Sequence, residues 1–229
     1  MLEAGNKHRC ADICLTTSYR RAHRHLVITA LGNDRKEGIM AKIYLAFVDT
    51  PGIFASLIRC FLKQKYIHVV ISLDSGLNEA YSFGRRNPLI PLISGFEKEN
   101  KQQILRAFPS AEYMICELEC TQEQKEHICR TLRRDMEHRY QYHYAVASLP
   151  FILLGKAFYQ KNHYTCSSYI ARLLAENEIY ISAKHFSLVT PKDFYEYPDK
   201  RVVFEGSLSD IVVQNDRWNY RRIGAAYEY

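Results

Sequence analysis

Two stretches of strict alternation fix the kind of fold open to this chain. From Met40 onward, Ile43, Leu45 and Phe47 share one side of an extended segment spanning residues 41–48. Further on, Met114, Cys116, Leu118 and Cys120 alternate with Tyr113, Ile115, Glu117 and Glu119 across residues 112–120. A period of two puts every second side chain on the same face, so each segment reads as a strand with one apolar face. Helical text lies between and after them. Thr50-Pro51 opens a helix to about Lys63, with a cap residue followed by proline at the first helical position. Thr121-Gln122-Glu123-Gln124 has capping-box spacing and opens a helix to about Arg139. A mixture of helices and antiparallel strands defines an α+β domain.

The remaining elements follow from local chemistry. Residues 67–73 and 78–83 are two β-rich runs separated by Asp74-Ser75-Gly76-Leu77, a hairpin signal. Residues 84–110 are mixed, with Pro88 and Pro91 interrupting an apolar run and a short helix over Lys98–Ala107. Cys166 begins a helix whose Ile170, Leu173 and Leu174 form a core stripe. Thr190-Pro191 starts another short helix, and Arg201–Glu205 is the last clear strand. The apolar stretch 149–154 is too short to span a bilayer, and no window approaches eighteen consecutive apolar residues.

Residues 1–39 are a different text, with seven Lys or Arg, three His and no sustained periodicity apart from Leu26–Leu31. Lys36-Glu37-Gly38 back-translates to a purine-rich ribosome-binding sequence just before the Met40 codon. Two readings stand: upstream sequence ahead of a start at Met40, or a genuine basic arm. Either way the folded domain is expected over 40–229, with 1–39 peripheral.

Composition narrows the function classes. The chain is 47% hydrophobic, enough for one substantial core, and its net charge of +6 is spread among 25 carboxylates without a basic run. Nucleic-acid binding therefore has no compositional support. Seven cysteines, an odd number without an export signal, point to a reducing compartment and a cytoplasmic location. Cys10 and Cys14 lack a second pair at zinc spacing, and Cys116, Cys120, His127 and Cys129 read as strand and helix residues, so no metal is expected. No cofactor motif is present: phosphate loop, dinucleotide fingerprint, H-E-x-x-H and G-x-S-x-G are all missing.

What remains is a cysteine and a histidine. Cys166 lies in Tyr164-Thr165-Cys166-Ser167-Ser168, where a polar lead-in gives way to a helix. A thiol at a helix N-terminus meets unpaired N–H groups and the positive end of the helix dipole, which favour thiolate. His68 opens the apolar strand Ile67-His68-Val69-Val70-Ile71, where a buried imidazole needs a partner. The neighbouring strand offers Asn78, Glu79 and Ser82 to orient it.

His68 in a hairpin strand, Glu79-Ala80 on its partner and Tyr-Thr-Cys-Ser-Ser-Tyr-Ile-Ala-Arg-Leu-Leu far downstream resemble the circularly permuted papain-like cysteine hydrolases. The similarity is to the YiiX/YebB-like branch of the NlpC superfamily and covers roughly residues 40–205. Tyr81-Ser82-Phe83-Gly84-Arg85-Arg86-Asn87-Pro88 and Gly95-Phe96 also look like this bacterial group. The histidine precedes the cysteine, which is the permuted order. The resemblance implies an antiparallel sheet packed on the nucleophile helix, Cys166 as nucleophile, His68 as general base and Glu79 as third residue, with Ser82 and Asn78 as alternatives. Strict alternation in a tight hairpin, however, puts residues near 82–84 opposite His68, not Glu79. Tyr164 and Ser82 are the expected substrate-site residues. The implied activity is thiol-dependent hydrolysis of a peptide-like or lipid-like amide, without cofactor. The alternatives are an acyltransferase of the same fold and a non-catalytic binding module that keeps the cleft.

Overall fold

In the computed structural model, which describes residues 40–51, 59, 64–87 and 90–213, the alternating segments form the middle of one sheet. The first strand, β1, runs Met40–Asp49, followed by β2 at His68–Ser72, β3 at Ala80–Asn87 and β4 at Ile90–Lys98. Helix α1, Lys101–Ala107, leads to β5, Glu112–Thr121, and α2, Gln122–Glu137. A two-residue strand β6, His143–Tyr144, precedes the short helix α3, Leu149–Leu153. Strand β7, His163–Tyr164, then leads into α4, Cys166–Ala175; α5, Pro191–Tyr195, and β8, Arg201–Ser207, follow.

Six strands lie in the order β4-β3-β2-β1-β5-β8, with every neighbouring pair antiparallel. The mixed α+β architecture with an antiparallel sheet agrees with the pattern in the sequence. Helices α2 and α4 cover one face, where Ile128, Leu132, Ile170 and Leu174 meet Ile43, Leu45 and Phe47. The capping box expected at Thr121 is formed: its Oγ1 accepts from the Gln124 N–H, and the Gln124 side chain accepts from the Thr121 N–H.

Three differences from the sequence reading matter. Strand β5 buries both faces in its first half: Met114 and Cys116 face α2 and α4, while Tyr113 and Ile115 face a second cluster with Ile104, Leu105 and Phe108. Helix α1 covers the face that alternation alone assigns to solvent. Glu117 is buried there too, and ion pairs with Lys42 and Arg201 hold it. Strand β4 forms despite Pro91, because it is an edge strand and a missing ladder donor is tolerated there. Finally, the β2–β3 connection is longer than a four-residue turn. The Asp74 carboxylate closes it by accepting from the N–H groups of Gly76, Asn78 and Glu79.

Most of the helix expected from Thr50 to Lys63, and the peripheral segment 1–39, lie outside the described residues, as do Cys10 and Cys14. Among the described residues no helix is long and apolar enough to cross a membrane.

Candidate active site

Cys166 is the first residue of α4. Thr165 caps that helix: its Oγ1 accepts from the Ser168 N–H at 3.1 Å, and Ser168 Oγ accepts from the Thr165 N–H at 2.8 Å. This capping box fixes the entry of the chain into the helix, and with it the direction of the next side chain. Ser167 Oγ donates to the Val189 carbonyl at 2.7 Å, tying the same turn to the segment before α5. The thiol is nearly inaccessible to solvent.

Helix α4 packs across β2 and β3, which brings His68, at the start of β2, to the sulfur. The imidazole and the thiol are close enough for each to shift the other's proton affinity, and the Val69 and Ser167 backbone also favours the thiolate. His68 Nε2 stands 3.1 Å from Ser82 Oγ and 3.5 Å from Glu99 Oε1. Ser82 donates its hydroxyl proton to Glu99 Oε1. With that proton committed, Ser82 is left to accept from Nε2–H. The result is a polar relay, Cys166–His68–Ser82–Glu99, inside an apolar domain.

The electrostatics follow from this arrangement. Burial pushes the His68 pKa down, but the Cys166 thiolate and the Glu99 carboxylate outweigh it and raise the imidazole to about 10. Burial pushes the Cys166 thiol up, yet the His68 charge, its hydrogen bond and the two backbone N–H groups bring the thiol below its ordinary value. Glu99 is lowered as well: its burial is outweighed by bonding to His68 and Ser82. The three shifts all run toward the charged forms, thiolate, imidazolium and carboxylate.

Tyr144 lies near the thiol as well. Parallel pairing of β6 with β7 sets Tyr144 beside Tyr164, two residues before the cysteine. Burial, and then the charge of Cys166, raise the Tyr144 hydroxyl above the ordinary tyrosine range, so it stays protonated beside the sulfur.

The structure brings Cys166, His68 and Ser82 together. Glu79 is elsewhere. Pairing Ser72 with Ala80 leaves Glu79 at the far end of the hairpin from His68, about 13 Å along β2 at the usual strand rise. Its carboxylate binds Arg133 at 3.0 and 3.2 Å and accepts from the Tyr81 hydroxyl. Asn78 is exposed, donating to Asp74 and accepting from Lys101. Tyr164 is fully buried in the aromatic cluster with Phe83 and Tyr169, and its hydroxyl bonds that of Tyr159. It supports the helix entry from behind instead of lining the site.

Glu99 was not legible without β4. Glu97-Lys98-Glu99-Asn100 has the composition of a solvated loop. Only the β3–β4 register, with Tyr81 opposite Lys98, returns Glu99 to Ser82.

Gly84 leaves room for the relay. A Cβ there would stand 3.2 Å from Ser82 Oγ, 3.8 Å from Glu99 Oε1 and 3.9 Å from His68 Cε1.

Cys116 and Cys120 are core thiols, burial raising both. His127 Nδ1 bonds Asn177 Oδ1 at 2.8 Å. Among the described residues no group of three or more His, Cys, Asp or Glu is arranged to hold a metal ion.

Comparison with known proteins finds no matching family model, no matching curated protein and no matching solved structure.

Proposed function

We propose that this chain is a cysteine hydrolase of the circularly permuted papain-like kind, cleaving an amide bond in a peptide-like or lipid-like substrate. The observation that carries the reading is the contact of Cys166 with His68. They are far apart in the chain, yet the two side chains interact at a capped helix N-terminus, where the imidazole lowers the thiol's pKa. A buried thiolate–imidazolium pair needs a reason to exist in a core.

In this mechanism the Cys166 thiolate attacks the amide carbonyl carbon. A C–S bond forms and the π electrons move to oxygen. Backbone N–H groups of the first turn of α4, joined by the Tyr144 hydroxyl, stabilise that oxyanion. The His68 imidazolium gives its proton to the amide nitrogen as the C–N bond breaks, leaving a thioester and a free amine. Neutral His68 then takes a proton from water, whose oxygen attacks the thioester carbonyl. Collapse expels the Cys166 thiolate and releases the acid. An amine or alcohol in place of water makes the same site an acyltransferase. Ser82 and Glu99 act through His68: they hold the ring and favour its charged form.

Iodoacetamide titration of the full chain tests this, with Cys166→Ala and His68→Ala beside it. Cys166 should alkylate rapidly below pH 7, and His68→Ala should move that reactivity up toward an ordinary thiol near pH 8.5. If the wild-type thiol reacts at neutral pH no faster than an ordinary one, the non-catalytic binding module replaces the hydrolase.

A further inference from the structure

Between the two strands that frame the cysteine, the chain makes an excursion that leaves and returns at the site. His143 N–H donates to the Asn162 carbonyl and Ala145 N–H to the Tyr164 carbonyl, closing residues 145–163 into a loop beside Cys166. This excursion carries apolar side chains outward. Val146 is 64% exposed, Leu153 56% and Leu154 69%; Phe151 stacks on Phe158 at 4.5 Å and is also exposed. Gly155, at φ 63°, turns the chain sharply after α3, and the Lys156 N–H donates back to the Phe151 carbonyl. Lys156 is thereby set beside the apolar tip. Singly exposed leucines are ordinary, but several from one short loop form a patch that needs an occupant.

The charge of this region selects that occupant. From His138 to Ala175 the sequence has no aspartate or glutamate, although the chain has 25. The same stretch holds exposed Lys156 and Lys161. Apolar side chains flanked by lysines, in a stretch of sequence without carboxylates, match a surface with hydrocarbon below and negative headgroups above. A second copy meeting through the same patch would bring Lys156 and Lys161 against their own counterparts. Residues 1–39 carry seven Lys or Arg against four Asp or Glu, so their charge opposes the patch as well.

We propose that the 145–163 excursion docks the protein on an anionic lipid surface, inserting Val146, Phe151, Leu153 and Leu154 with Lys156 and Lys161 at the headgroups. This docking does not depend on the thiol being catalytic.

Flotation of the full chain with vesicles tests it, using phosphatidylcholine alone and phosphatidylcholine mixed with phosphatidylglycerol, at low and high salt. Binding should be confined to the anionic vesicles and weaken with salt. Leu153→Ser with Leu154→Ser should lower binding at least about tenfold. Lys156→Gln and Lys161→Gln should each lower it roughly fivefold. All variants should keep the wild-type rate of Cys166 alkylation, which separates loss of docking from loss of the site. Absence of wild-type binding, equal binding to neutral vesicles, or variants that bind like wild type would each overturn the proposal. So would a wild-type dimer in light scattering that the double leucine variant renders monomeric.

Discussion

Glu99 Oε1 lies 3.5 Å from Nε2 of His68, and the Ser82 hydroxyl lies between them, 3.1 Å from the ring and donating to the carboxylate. The imidazole thus has an ionisable partner on two sides, the Cys166 thiol and, toward Nε2, the Glu99 carboxylate. Removing either should lower its proton affinity, but the two losses have different chemical consequences.

Glu99→Gln keeps the shape and removes the charge. The imidazolium should weaken, and the pH midpoint of Cys166 alkylation should rise toward that of His68→Ala without reaching it. Ser82→Ala should act in the same direction and more weakly, because Glu99 retains its approach to the ring. Glu79→Gln should leave the profile in place, since its partners are Arg133 and Tyr81. A Glu79→Gln shift equal to that of Glu99→Gln would show that the relay is not the one that tunes the thiol.

Gly84 supplies a steric test of the same relay. An alanine Cβ at 3.2 Å from Ser82 Oγ is tight but can be absorbed by a small shift of the hydroxyl. Gly84→Val adds two methyl groups to a space bounded by Ser82, Glu99 and His68. It should reduce the alkylation rate at pH 6 by about tenfold or more while the far-ultraviolet dichroism stays native, whereas Gly84→Ala should cost severalfold at most. Equal rates in Gly84→Val and wild type would mean that the ring can move freely.

A third measurement concerns the helix that carries the cysteine. Tyr169, on α4, donates its hydroxyl to Asp135 Oδ2 at 2.8 Å, linking α4 to α2 beneath the sheet. Burial, and then the Asp135 charge, hold that phenol well above the usual tyrosine range, so it donates at every physiological pH. Tyr169→Phe leaves a buried carboxylate short of a donor and should cost about 1–3 kcal/mol in urea unfolding. Alkylation of Cys166 should persist, because the entry to α4 is set by the Thr165–Ser168 box and not by Tyr169.

Legibility in the sequence follows the range of the interactions. The start of α4 was readable because a cap is local: Thr165 and Ser168 are three residues apart. His68 was readable as a polar residue opening an apolar strand, and Ser82 because alternation carries it to the same side of the hairpin. Glu99 was not, since its place depends on β4, whose proline concealed an edge strand, and on a register set by pairing. Glu79 misled because hairpin adjacency in sequence puts it near the turn, whereas His68 sits at the open end. The second apolar face of β5 was hidden for a related reason: α1 covers it, and only tertiary packing decides that Tyr113 and Ile115 turn inward to a core.

The pH dependence of stability offers a test that needs no substrate. His68 rises on folding from an ordinary 6.5 to about 10, so its contribution is complete below pH 6.5 and is lost as pH rises through 10. Cys166 is depressed from an ordinary 9.0, so its contribution is complete above pH 9 and is lost as pH falls through the folded value. Between the folded Cys166 value and pH 9 the thiol's slope rises, and between pH 6.5 and 10 the His68 slope falls, so the two cancel where these ranges overlap. There the folded pair holds one proton on imidazole, and the unfolded chain holds one on sulfur. Stability from the pair should therefore be level over that overlap and fall between pH 9 and 10. In Cys166→Ala the thiol's rising slope is removed, and His68 loses the thiolate that sustains its charge. Urea midpoints measured across pH 5–10 should then lose the plateau relative to wild type. If wild type and Cys166→Ala differ by a constant at every pH below about 8, the thiol carries no charge in the folded protein there, and the thiolate–imidazolium pair is not formed.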